Sequence, residues 1–121
     1  MRVNESAEMY LETIYLLDRD NKGVRTIDVA KALEVSKPSV TNAMNRLKSD
    51  GFVSKELYGI IKLTDEGIEY AKRIYTRHNV ITEFLVKTLN VDYALAEKNA
   101  CRMEHVIDDE ILDSIIRYIA K

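Results

Sequence analysis

Chain breakers are confined to one stretch of this sequence. All four glycines (Gly23, Gly51, Gly59 and Gly67) and the single proline, Pro38, fall between residues 23 and 67. Residues 68–121 contain neither. That tail must be long helix, or helices joined by turns that need no glycine. A chain of 121 residues fits one domain, or a small domain with an appendage. Its core is modest, so stabilisation by a partner chain is expected.

Periodicity fills in the elements. Met9, Leu11, Ile14, Leu16 and Leu17 recur with a helical rhythm over 6–18, and Ser6 is the expected N-cap. Asn21-Lys22-Gly23 ends that helix. Residues 26–33 read as a short helix capped by Thr26, and Glu34-Val35 as a tight turn. Ser36 then caps a helix with Pro38 in its first turn, where a missing N–H is harmless. That helix stops at Gly51. Residues 52–57 and 60–63 alternate like strands around Tyr58-Gly59, which predicts a hairpin. Thr64 caps a helix reaching about residue 88, and helices near 92–105 and 108–120 follow. The expected fold is mainly α. It is a winged helix-turn-helix domain with a two-stranded wing over 1–70, then an α-helical domain over 71–121.

Charge follows the same division. The formal net charge is only −2, but residues 19–62 carry nine Lys and Arg against five acids, between two acidic flanks. A basic middle predicts a local anion-binding surface. The helix opened by Ser36 has the composition of a helix that enters the major groove. Ser36, Lys37, Pro38, Ser39, Thr41 and Asn42 are the residues for close approach, and Arg46 and Lys48 follow as phosphate contacts. Lys55 and Lys62 on the wing suit the sugar-phosphate backbone, and Thr26 opens the preceding helix. One winged helix reads few base pairs, so a homodimer on a palindromic double-stranded site is expected. Val80, Ile81, Phe84, Leu85, Ile111, Ile115, Ile116 and Ile119 are the apolar positions available for core or dimer interface.

Metal-ligating residue types gather in the C-terminal half. In the run Cys101-Arg102-Met103-Glu104-His105, the cysteine lies three and four residues before Glu104 and His105. On a helix these share one face. Thiolate, carboxylate and imidazole together form a ligand set for a divalent transition metal. Met9 and Glu12 offer a second pair on the first helix, and His78, on the long helix, is the natural third contributor. The bland alternative is a small apolar cysteine, a core methionine and a surface Glu-His pair. Glu5, Glu8 and Glu12 cluster near the N-terminus, where they would repel DNA or one another without a cation.

These residues resemble the diphtheria toxin repressor family of metal-dependent transcriptional regulators, which sense iron or manganese. The resemblance covers nearly the whole chain. Its marks are Glu8-Met9-Tyr10-Leu11-Glu12-Thr13-Ile14-Tyr15, Ser36-Lys37-Pro38-Ser39, Leu63-Thr64-Asp65-Glu66-Gly67, Arg77-His78 and the run from Cys101 to Glu110. It implies a homodimeric repressor controlling metal-uptake genes, in the two-domain form without an SH3-like domain. Divalent metal would act as corepressor by favouring the DNA-competent dimer. The iron branch's ligands correspond to Met9, Cys101, Glu104 and His105. The manganese branch's second helix-1 carboxylate corresponds to Glu12, so the chain is mixed. Soft Met9 and Cys101 argue for Fe²⁺ over Mn²⁺, with Co²⁺, Ni²⁺ or Zn²⁺ as substitutes in vitro. For the family's ancillary site His78 matches. The next position falls at Thr82 with Glu83 adjacent, and a second histidine falls at Glu97.

Other classes fit less well. Neither a phosphate-cradling glycine loop nor a nucleophile elbow occurs, so an enzyme acting on a small organic substrate is not expected. A winged-helix regulator sensing redox state through Cys101, or a small ligand, leaves Glu104-His105 without a role. No apolar run is long enough to span a membrane, the N-terminus lacks a signal peptide's apolar core, and one cysteine suits a reducing cytoplasm.

Overall fold

The computed structural model describes residues 4–20, 22–55 and 59–121, with the Lys55 side chain outside the description. The chain divides into two compact units, one up to Lys72 and one from Arg73. The elements are α1 (Glu5–Leu17), β1 (Val24–Arg25), α2 (Thr26–Leu33), α3 (Lys37–Ser49), β2 (Val53–Lys55), β3 (Ile60–Leu63), α4 (Asp65–Leu89), α5 (Tyr93–Met103) and α6 (Asp109–Ile119). It is mainly α, with one small sheet, as the breaker distribution predicts.

In the first unit, α1, α2 and α3 surround an apolar centre of Leu11, Ile14, Val29, Val40 and Leu47, with Ile61 of β3 closing it. The sheet is antiparallel in the order β1-β3-β2, pairing Val24 with Ile61 and Val53 with Leu63. The hairpin is the expected wing. The third strand, β1, is an addition, because two residues carry no periodicity to read.

Local chemistry sets the element ends. The Ser36 Oγ accepts from the Ser39 N–H at 3.2 Å, as its N-cap role requires. Glu34 takes the left-handed conformation that ends α2. Two caps differ from expectation. Asn4, not Ser6, caps α1, accepting from the Ala7 N–H at 2.8 Å; the sequence offers cap-type residues two apart. Arg25 precedes α2, so Thr26 is its first helical residue rather than its cap. Helix α1 also ends earlier than Asn21-Lys22-Gly23. Asp18 closes it and its carboxylate accepts from the Gly23 N–H at 3.0 Å. Asn21 itself, the Tyr58 turn position and strand residues 56–57 lie outside the described residues.

Thr64 ties the wing's base together. Its hydroxyl donates to the Gly51 carbonyl at 2.7 Å and accepts from the Gly67 N–H at 3.1 Å. One side chain thus caps α4 and holds the chain just beyond α3. Gly67 is buried against the Phe52 carbonyl, where a Cβ has no room.

In the second unit Ala96 and Ala100, one turn apart on α5, meet Ile81 and Leu85 of α4. Phe84, Val86, Val91, Met103, Ile107 and Leu112 surround this centre. Of the apolar positions available for core or interface, Ile81, Leu85 and Ile115 are buried, while Ile111 and Ile116 remain exposed beside Tyr118. An apolar cleft of about 430 Å³ lies along α4 and α6, lined by Phe84, Leu89, Ile111, Ile115 and Tyr118 among others. Among the described residues, no helix is long and apolar enough to cross a membrane.

Candidate metal centre and DNA-reading surface

Helix α5 ends at Met103, and Glu104 is its C-cap with helical dihedrals. The face shared with Cys101 therefore continues one residue past the helix, and a turn carries His105. The Glu104 side chain is completely buried. One of its oxygens lies 3.0 Å from His78 Nδ1, on α4, and the other 3.1 Å from His105 Nε2. Cys101 places its sulfur within 4.8 Å of a Glu104 oxygen. Burying a carboxylate costs several kcal/mol unless positive charge compensates it. Two imidazoles on its two oxygens, with a thiol beside them, are a donor set that a divalent transition metal fits.

The outer face of His78 points to a second carboxylate. Its Nε2 lies 3.9 Å from Glu97, which is about half exposed. The Tyr75 ring stacks on His78, with centroids 6.5 Å apart. Thr82 turns its hydroxyl back to the His78 carbonyl at 2.8 Å. Glu83 pairs with Lys87 one turn along α4 at 2.8 Å.

Met9 and Glu12 belong to the first unit. Glu12 is buried, whereas Met9 is 39% exposed. Cys101 is exposed too. Neither sulfur residue is a buried core filler. Glu8 departs from the expected repelling acidic cluster. It is fully buried and accepts a 2.7 Å hydrogen bond from the Tyr70 hydroxyl. The 62 residues separating the pair leave no local signal for it.

The DNA-facing candidates sit as the helical period dictates. Val40, Met44 and Leu47 bury one stripe of α3. Lys37, Pro38, Ser39, Asn42, Arg46 and Lys48 are exposed, and Thr41, Thr26 and Lys62 are half-buried. Ser36 and Ser39 bring their hydroxyls within 2.8 Å of each other, so part of their hydrogen-bonding capacity is spent on the helix start.

Known proteins place this arrangement. The family model described as "Iron dependent repressor, N-terminal DNA binding domain" matches residues 2–60. "Iron dependent repressor, metal binding and dimerisation domain" matches residues 64–121. The chain belongs to the iron-dependent repressor family. These are metal-dependent transcriptional repressors, and their DNA-binding and metal-binding parts correspond to the two matched regions.

An uncharacterized helix-turn-helix transcriptional regulator of Methanocaldococcus jannaschii is 39% identical over 120 residues, covering 98% of this chain and 96% of that protein. The diphtheria toxin repressor of Corynebacterium glutamicum is 31% identical over 107 residues, covering 88% of this chain. The chain spans about half of that repressor's length, 47%. Among solved structures, a manganese-dependent transcriptional repressor in complex with manganese aligns with a TM-score of 0.84 and 25% identity. The alignment covers 94% of this chain and 52% of that one. Iron and manganese regulators thus both stand among this chain's relatives.

Proposed function

We propose that this chain is an Fe²⁺-responsive repressor that acts in the cytoplasm as a homodimer on a palindromic operator and controls metal-uptake genes. The observation that carries the reading is the buried Glu104 carboxylate between His78 and His105, with the Cys101 thiol beside it. Glu104, His105 and Cys101 would hold the ion. Met9 and Glu12 join them on the strength of the sequence resemblance. His78 and Glu97 are the candidates for a second, outer ion, and Glu83 stands next to them in sequence. A bound divalent cation supplies the positive charge that offsets the buried carboxylates.

The chain's own residues do the rest. Glu104 sets one carboxylate oxygen about 3 Å from each imidazole, where a cation would draw the three groups together. Soft sulfur from Met9 and Cys101 favours Fe²⁺ over Mn²⁺. Ser39, Asn42 and Arg46 present hydroxyl, amide and guanidinium groups from one exposed face of α3 to a groove and its phosphates. The exposed Ile111, Ile116 and Tyr118 offer apolar area to a second copy.

The test is anaerobic titration of Fe²⁺ or Mn²⁺ into metal-free protein at fixed salt, read as fluorescence anisotropy of a labelled palindromic duplex. The expected result is tighter binding with Fe²⁺, lost in His105→Ala. A stronger response to Mn²⁺ would make Glu12 the deciding ligand and the chain a manganese regulator, a reading favoured by its likeness to the manganese-loaded repressor. Equal affinity with and without either metal would overturn the corepressor mechanism.

A further inference from the structure

The wing and the recognition helix leave a cleft between them in the first unit. It measures about 280 Å³ and is lined by Arg25, Thr26, Ile27, Lys37, Gly59 and Ile60. Arg25 lines it from β1, opposite Ile60 of β3. Lys37 lines it from the first turn of α3. Gly59 lines it just before β3. Both cations are exposed, and among the described residues neither has an acidic partner. The nearby Asp28 carboxylate is turned to the Arg25 backbone N–H, at 3.4 Å.

Duplex geometry gives this cleft a purpose. Adjacent major and minor grooves are separated by one ridge of sugar and phosphate. A module with a helix in one groove and a wing toward the next must let that ridge pass between them. Gly59 adds no side chain to the cleft lining. It has positive φ, and a Cβ added there would meet nothing within 4 Å.

We propose that the Arg25–Lys37 cleft is a seat for one DNA phosphodiester, with Arg25 as a backbone-contacting residue additional to those on α3 and the wing. The inference rests on the DNA-binding reading and adds a site to it. The seat is blind to base sequence, because it meets only the backbone. It sets how the reading helix is held rather than which bases it prefers.

The experiment uses the full chain with saturating metal and a labelled mixed-sequence duplex of about 30 base pairs, titrated at several salt concentrations. Arg25→Ala, Arg25→Gln and Lys37→Ala are compared with wild type and with Lys98→Ala, which removes one positive charge from α5, outside the cleft. Circular dichroism verifies that each variant folds. Each lost phosphate contact lowers the slope of log affinity against log salt by about 0.9 per protomer, roughly tenfold in affinity near 0.1 M salt. The proposal expects this loss for the Arg25 and Lys37 variants and a wild-type slope for Lys98→Ala. A wild-type slope in both Arg25 variants overturns the seat and leaves DNA reading by α3 intact. The same loss in Lys98→Ala reduces the effect to net charge and also overturns it. Failure of the wild type to bind any duplex removes the DNA-binding reading and this inference together.

Discussion

Replacing Glu104 by glutamine tests the metal centre at its most buried point. Gln has the shape of Glu and keeps a polar atom at each of the two positions that lie 3.0 and 3.1 Å from the imidazole nitrogens, contacts that lack hydrogen-bond geometry. The metal-free proteins should therefore melt within a few degrees of each other. The difference must appear on adding metal. Altering groups that only support a ligand costs about 10- to 100-fold in affinity, so removing an anionic ligand should cost at least the upper figure. At a metal concentration 100 times the wild-type Kd, binding adds about 2.7 kcal/mol to stability. After a hundredfold loss the same concentration adds only about 0.4 kcal/mol. For a chain of this size these correspond to shifts in Tm on the order of 10 °C and about 1–2 °C. Differential scanning calorimetry under anaerobic conditions, with Fe²⁺ or Co²⁺, reads both. Equal metal-induced shifts in wild type and Glu104→Gln would refute the reasoning, since the carboxylate could not then be a ligand. Collapse of the metal-free variant would instead make Glu104 a structural partner of His78 and His105.

Gly67→Ala sets helix propensity against packing: propensity favours alanine by about 1 kcal/mol, but the Phe52 carbonyl occupies the space. Overpacking of about 1–3 kcal/mol should win, and chemical denaturation would show a lower midpoint; a raised one would contradict the packing. Leu11→Ala, at a completely buried position of α1, should cost about 2–5 kcal/mol in the same assay. Ile111→Asp places a charge on the exposed apolar face of α6 and should shift the protein toward monomer in light scattering, with little change in circular dichroism. Asn42→Ala should reduce discrimination between operator and scrambled duplex by about 1–3 kcal/mol while leaving metal-induced stabilisation unchanged.

Features written into neighbouring residues could be read from the sequence. The Ser36 cap, Pro38 in the first turn and the Thr64 cap each depend on a span of three or four residues, and each appears where expected. The spacing of Cys101, Glu104 and His105 was legible for the same reason, although α5 stops before Glu104. What depends on packing was not legible. His78 was readable as a candidate ligand, but its particular approach to Glu104 joins α4 to the end of α5, and the small Ala96 and Ala100 take part in that packing. The Glu8–Tyr70 bond and the two-residue β1 likewise pair distant segments with no periodic signal. Arg25 carries no such signal either, since its pairing with Ile60 and its place with Lys37 in one cleft join distant segments.

The strand order carries a consequence for synthesis. β3 is the middle strand of the sheet yet the last of the three to be made. A nascent chain that stops short of Ile60 holds α1, α2, α3 and both outer strands, with nothing to join β1 to β2. Its helices can form on the ribosome as they emerge, but the wing waits for β3, and Thr64 follows one residue after it to fasten the end of α3. The sheet of the first unit therefore completes itself in one step, once residues 60–64 have emerged. Substitutions in β3 should lower the yield of folded protein more than equivalent changes in β1 or β2.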